Sequence, residues 1–188
     1  MSQVDLFGSE PALPDGMRVQ AELIRGNEER DLIARLGRLP FEPFQFRGFE
    51  GRRRVVSFGW RYDFVQQRLG GAEPMPDWLL PVRDRAAAFL VVEPETLEHA
   101  LITEYAPGAA IGWHKDRPEF GEVVGVSLGA PCTFRLRQRA GAGWERRAFT
   151  AEPRSAYTLQ GSARTEWEHS IPAVEALRYS VTLRTLRG

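Results

Sequence analysis

Residues 101–128 read LITEYAPGAAIGWHKDRPEFGEVVGVSL, and this stretch decides the fold. Three short apolar or alternating runs, Leu101–Tyr105, Ala110–His114 and Val123–Leu128, are separated by clusters of Gly, Pro and Asp. Short runs bounded by turn formers are the mark of antiparallel strands. The texture continues through Thr133–Gln138, Glu145–Thr150, Ser155–Leu159, Arg164–His169 and Leu177–Thr185. Eight closely spaced strands predict a jelly roll.

Upstream the pattern changes period. Asn27–Leu36 (NEERDLIARL) puts Leu32, Ile33 and Leu36 on one helical face, with Asn27 as N-cap and Gly37 as stop. A second helix is expected over Trp78–Leu90, and Arg54–Phe64 (RVVSFGWRYDF) reads as strand, turn at Gly59, strand. The first sixteen residues, with two prolines, two glycines and three acids, predict a loosely held arm. The expected class is α+β, mainly β. It is a double-stranded β-helix (jelly roll) over about 100–186, supported by N-terminal helices within one domain, 17–188.

With 188 residues and 43% apolar content, the chain has the size of a single globular domain. Twenty-five basic residues balance twenty-five acidic ones, so no global field draws it to nucleic acid or membrane; any such contact needs a local patch. Lys115 is the one lysine, the other basic residues being arginines suited to carboxylate and phosphate. A lone Cys132 excludes an internal disulfide, and no run approaches the ~20 apolar residues of a membrane helix. The N-terminus carries no basic start followed by an apolar stretch. The expectation is a cytoplasmic monomer.

His114 and Asp116 stand two apart in GWHKDRPEF, so a strand running through both sends their side chains to one face and Lys115 to the other. His169, in WEHSI, offers a third ligand from a distant strand. Two histidines and one carboxylate form the facial set of non-haem iron(II) sites, which leaves three octahedral positions for other ligands. Zinc accepts the same three ligands, and an isolated HxD also arises by chance. His99, in ETLEHAL, is expected on a helix or its end, at the surface or half-buried.

The run Arg178–Arg184 (RYSVTLR) alternates without a break and puts Arg178, Ser180, Thr182 and Arg184 on one face. A solvated edge strand is the common fate of such alternation, yet this face carries two arginines and no partner acid. Six residues at ~3.3 Å each separate the guanidinium groups by about 20 Å, so they grip different ends of a site.

The order TEYAPGAAIGWHKD, WEHSI, RYSVTLR resembles the AlkB-like branch of the 2-oxoglutarate oxygenases over roughly the last ninety residues. The resemblance implies Fe(II) held by His114, Asp116 and His169, with 2-oxoglutarate and dioxygen as cosubstrates. It pairs Arg178 and the Tyr105 hydroxyl with the distal carboxylate, and sets Arg184 at the carboxylate end near iron. Ser180 and Thr103 stand where the family often has asparagines.

The same resemblance makes about 41–75 a nucleotide-recognition region, within which SFGWRYDF offers Phe58, Trp60 and Tyr62. Glu119 and Arg137 complete the substrate-binding candidates, Arg135, Arg137 and Arg139 sharing one face of a strand. Two positions after the metal aspartate, where the family carries a base-reading acid, stands Pro118. The activity implied is oxidative demethylation of nucleobases such as 1-methyladenine and 3-methylcytosine in DNA or RNA, releasing formaldehyde, succinate and CO2. The same chemistry on a protein or small molecule, and a non-catalytic jelly-roll binding module, remain the alternatives.

Overall fold

A computed structural model describes residues 12–46 and 49–187. Strand β1 (Val19–Gln20) precedes α1 (Gly26–Leu36), which buries Leu32 and Leu36 and keeps Glu28 and Glu29 in its first turn, where the helix dipole favours acids. Strands β2 (Glu42–Phe46), β3 (Phe49–Phe58), β4 (Trp60–Asp63) and β5 (Arg68–Gly71) follow. Gly59 sits at φ +74 between β3 and β4, where an added Cβ would strike the Glu98 carbonyl, so glycine is required at this turn. A 3-10 turn, Asp77–Leu79, leads into α2 (Leu80–Leu90), so the expected second helix opens on a tighter turn.

The rest alternates between two sheets. β6 (His99–Tyr105), β8 (Phe120–Gly129), β11 (Ala156–Leu159) and β13 (Arg178–Leu186) join a seven-stranded sheet of order β1-β11-β8-β13-β6-β3-β2. β7 (Ile111–His114), β9 (Cys132–Ala140), β10 (Gly143–Ala151) and β12 (Glu168–Ile171) form a four-stranded sheet of order β10-β9-β12-β7. This is the expected jelly roll. One apolar core lies between the helices and the seven-stranded sheet, built by residues such as Leu36, Leu90, Ile102, Val181 and Leu183. A second fills the space between the sheets, from Phe134, Leu136, Tyr157 and Trp167.

Two expectations are corrected, and one strand is new. The run Arg164–His169 is not one strand: α3 (Gly161–Thr165) takes its start, and β12 begins only at Glu168. The HxD strand ends at His114, so Asp116 lies beyond β7 in the connection to β8. β2 had no sequence expectation; its Pro43 argues against a strand, but β2 is an edge strand, where a missing N–H is tolerated. Of the sixteen-residue arm, 1–11 lie outside the described residues, while the Asp15 and Gly16 carbonyls accept hydrogen bonds from Ala163 and Gln160. No described helix is long and apolar enough to cross a membrane.

Candidate metal centre and anion pocket

Pairing places the histidines. β12 runs antiparallel to β7 with His169 directly opposite His114, which brings the two rings to 4.2 Å between centroids. Asp116 Oδ1 stands 3.5 Å from His169 Nε2 and 3.9 Å from His114 Nε2. All three ligand atoms lie within 4.8 Å of one another, a separation one ion can bridge. His114 Nδ1–H donates to the Gly112 carbonyl at 2.8 Å, which leaves Nε2 as a free acceptor aimed at the cluster.

Protonation suits a cation. Burial drives His169 down to about 3, helped by the neighbouring His114, and burial also lowers His114. Burial opposes ionisation of Asp116, but the Arg184 guanidinium and both imidazoles outweigh it and hold the carboxyl well below the usual carboxylate range. Two neutral imidazoles and one carboxylate at neutral pH are the donor set a divalent metal needs.

Arg184, His99 and Arg164 hold this set in roles the sequence expectations did not give them. Arg184 Nε donates to Asp116 Oδ2 at 2.6 Å, so this arginine orients the carboxylate ligand. His99 is not a surface or helical residue. It opens β6, is 2% exposed, stacks on Phe120 at 4.5 Å and lies 3.3 Å from an Arg184 terminal nitrogen through Nδ1. Its pKa falls well below the ordinary value through burial, leaving a neutral ring able to accept from Arg184. Counting back by twos from Tyr105 was the signal available for it. Arg164 is buried and donates to the backbone carbonyls of Gly121, Arg117 and Phe120 at 2.7, 2.8 and 2.6 Å, clamping the connection that carries Asp116. Lys115 points away, its Nζ on the Thr165 carbonyl.

The second pocket is built by register in the large sheet. Arg178 lies opposite Tyr105 and Gly129, Ser180 between Thr103 and Ser127, and Arg184 opposite His99. Tyr179, Val181 and Leu183 take the other face and join the helix-packed core. β13 is the central strand of seven, so its polar face is interior rather than a wet edge. Arg178 is 0% exposed, donates Nε to Ser127 Oγ at 3.1 Å and lies 4.9 Å from the Tyr105 ring centroid. Its two terminal nitrogens have no hydrogen-bond partner within the described residues. A buried guanidinium fork without an acid is costly, on the order of several kcal/mol, and the carboxylate of a small diacid matches its geometry. Burial raises the Tyr105 pKa, keeping its hydroxyl protonated as a donor beside that fork. Arg53 is a further half-buried cation, on the Phe44 ring at 3.7 Å, one strand over from Tyr105.

The substrate-binding candidates separate. Tyr62 is buried, and Arg117, next to Asp116, stacks on its ring at 4.0 Å. Glu119 lies in the same connection, 3.9 Å from Arg117. Trp60 is half-buried on β4. Phe58 lies elsewhere: paired with Ala100, it packs into the core under the helices, on the sheet face opposite the metal ligands. Arg137 is on the outer face of the four-stranded sheet, bound to Glu168 at 2.6 Å.

Comparison with known proteins follows the same geometry. Residues 27–184 match the model of the 2OG-Fe(II) oxygenase superfamily. The Alkylated DNA repair protein ALKBH8 homolog of Arabidopsis thaliana is 24% identical over 90% of this chain and 54% of its own length. The Probable RNA/DNA demethylase ALKBH6 of Danio rerio is 38% identical over 28% of this chain and 23% of its own length. The chain thus spans about half, or less, of these relatives. The solved structure of OsALKBH1 superposes with a TM-score of 0.70 at 16% identity, over 93% of this chain and 98% of that one, a likeness of fold.

Proposed function

The chain belongs to the 2OG-Fe(II) oxygenase superfamily, and from that premise we propose that it is an AlkB-like oxidative demethylase of alkylated nucleobases in DNA or RNA. The observation that carries the nucleobase reading is the join between the aromatic hairpin and the metal loop. Arg117 stacks on Tyr62 immediately after the ligand Asp116, so a ring stacked at that hairpin lies beside the metal.

His114, Asp116 and His169 fit iron(II), because two neutral imidazoles and a carboxylate converge, and Arg178 with Tyr105 fits the distal carboxylate of 2-oxoglutarate, because the two terminal Arg178 nitrogens are buried without partners. When bound, that pair would, with dioxygen, supply a C–H hydroxylating oxidant, one oxygen atom passing to succinate and the other to the substrate, with CO2 released. The protein supplies orientation and dryness. Arg184 fixes the Asp116 carboxylate, His99 fixes Arg184, and Arg164 fixes the loop. Tyr62 Oη, Arg117 Nε and Glu119 Oε2 are buried without hydrogen-bond partners, Arg117 Nε and Glu119 Oε2 facing each other as an ion pair at 3.9 Å, and this polar group suits the edge of a base turned out of its strand. With Pro118 at the usual base-reading place, Glu119 takes that role. Hydroxylation of an N-methyl carbon gives N–CH2OH, which breaks to N–H and formaldehyde.

Incubation with iron(II), 2-oxoglutarate and an oligonucleotide bearing 1-methyladenine or 3-methylcytosine tests this, with succinate and formaldehyde measured together. Equimolar products are expected. Succinate without formaldehyde would move the target to another substrate class, and neither product across a substrate panel would make the chain a binding module.

A further inference from the structure

We propose that the outer face of the four-stranded sheet is a docking track for single-stranded nucleic acid, separate from the metal pocket. This rests on the nucleic-acid reading above and gives that substrate a second contact.

The track follows from register. Arg135, Arg137 and Arg139 on β9 lie opposite Ala148, Arg146 and Trp144 on β10, and Arg137 and Arg135 lie opposite Glu168 and Ser170 on β12. The alternate residue Leu136 pairs with the ligand His169 and faces the interior. One face of the sheet therefore holds metal ligands, while the other presents four arginines and one acid. Glu168 pairs with Arg137 at 2.6 Å, and Arg135 Nε donates to Ser170 Oγ at 3.0 Å. Among the described residues no acid pairs with Arg135, Arg139 or Arg146. In a chain of zero net charge, this is a local cationic patch.

Two indoles alternate with these cations. Arg135 and Arg137 lie over Trp113 at 5.1 and 4.4 Å, and Arg137 and Arg139 over Trp144, both at 4.1 Å. Trp113 belongs to the edge strand β7 and Trp144 to the opposite edge strand β10. The strands lie three spacings of ~4.8 Å apart, yet both rings lean over Arg137, which at 4.4 and 4.1 Å from their centroids keeps the indoles within about 9 Å of each other, the reach of one or two nucleotides. An open cleft of about 660 Å3 borders this face, lined by its Trp113, Arg135 and Arg146 and by Leu136 and Arg147 of the alternate register. Guanidinium planes layered on indoles form flat cationic steps, which suit unpaired bases and their phosphates together. A duplex keeps its bases stacked inside and offers none to the indole and guanidinium faces. An acidic peptide would use the charges and not the rings. Trp113 also neighbours His114, so a strand crossing the β7 edge passes beside the metal pocket.

The test is fluorescence anisotropy of the full chain, without metal, with a labelled oligothymidylate of roughly twelve nucleotides lacking alkylated bases. The variant Arg135→Ala/Arg139→Ala/Arg146→Ala is expected to weaken binding tenfold or more. It should also flatten the slope of log affinity against log salt by about 2, from three charges at ~0.7 each. Trp144→Ala should weaken binding about tenfold with the slope unchanged. The corresponding triple lysine variant should restore the slope, which a merely structural role of the arginines would not require. Failure of the wild type to bind, unchanged affinity and slope in a folded triple alanine variant, or stronger binding to polyglutamate than to the oligonucleotide, each overturns the proposal. Formaldehyde release is read separately: intact oligonucleotide binding without demethylation would remove the substrate reading and leave this face standing.

Discussion

Arg178 carries an electrostatic demand that the described residues leave unmet, since two of its nitrogens are buried without partners. Replacement by Met removes a buried cation and fills similar volume, so the metal-free protein should keep or gain stability. The rise in Tm on adding 2-oxoglutarate, worth about 2.7 kcal/mol at a hundredfold excess over Kd, should vanish. A variant that melts lower yet keeps the 2-oxoglutarate shift would contradict the assignment. The histidines give a pH prediction. His169 titrates near 3 when folded, His114 and His99 are also depressed, and all three rise to about 6.5 on unfolding. Below about 6.5 the unfolded chain takes up protons the folded chain refuses, so stability falls as pH drops towards 3, by up to ~1.4 kcal/mol per unit for each fully shifted ring. Urea midpoints of the metal-free protein at pH 7.5, 6 and 5 should decrease in that order; a flat series would contradict it. At this scale short spacing marked His114 and Asp116 and alternation marked Arg178, while Tyr105 was reached through the family resemblance alone. The sequence was silent on Arg164 and Arg117. Their roles depend on backbone carbonyls and a ring brought together from 44 and 55 positions away.

Among the elements, β13 does most to join the chemistry to the fold. Its polar face places Arg178 and Arg184 at the two ends of the site, and its apolar face anchors the helices. The unbroken alternation made that strand legible, and the absence of acids on it argued for an interior face. β12 was misread at its start because Arg164 to His169 mixes polar and apolar residues in a way either period can take. Tertiary contacts decide for α3, through the Arg164 clamp. Arg164→Ala should therefore lower iron(II) affinity about 10- to 100-fold, as loss of an outer support to a ligand does, while leaving strand content by circular dichroism unchanged. Equal metal affinity in the variant would remove the positioning role. Gly125 in β8 offers a contrasting case. A Cβ there would run into the Tyr157 ring, itself packed on Phe134, so Gly125→Val should destabilise by about 1–3 kcal/mol through overpacking between the sheets. Denaturant midpoints check this.

The molecule as a whole divides its labour between two sheets. The four-stranded sheet brings both histidines, the large sheet brings Arg178 and Arg184, and Asp116 lies on the connection that crosses between them. Seven of the eight strands and two supporting helices were legible from period and punctuation; the assignment of strands to sheets was not, because it depends on long-range pairing. The proposed function divides the same way, the oxidising centre being carried by local motifs and the proposed docking face by surface register. His114→Ala removes a pocket ligand rather than core packing, so it should fold normally and lose turnover; global unfolding would mark a structural metal instead. The central claim is that one site joins the His114–Asp116–His169 cluster to the Arg178 pocket. Its most direct test is succinate formation from 2-oxoglutarate under iron(II) by wild type, His114→Ala and Arg178→Met, all verified as folded. The account predicts succinate from the wild type alone, dependent on added iron(II). Undiminished succinate formation by either variant would contradict it.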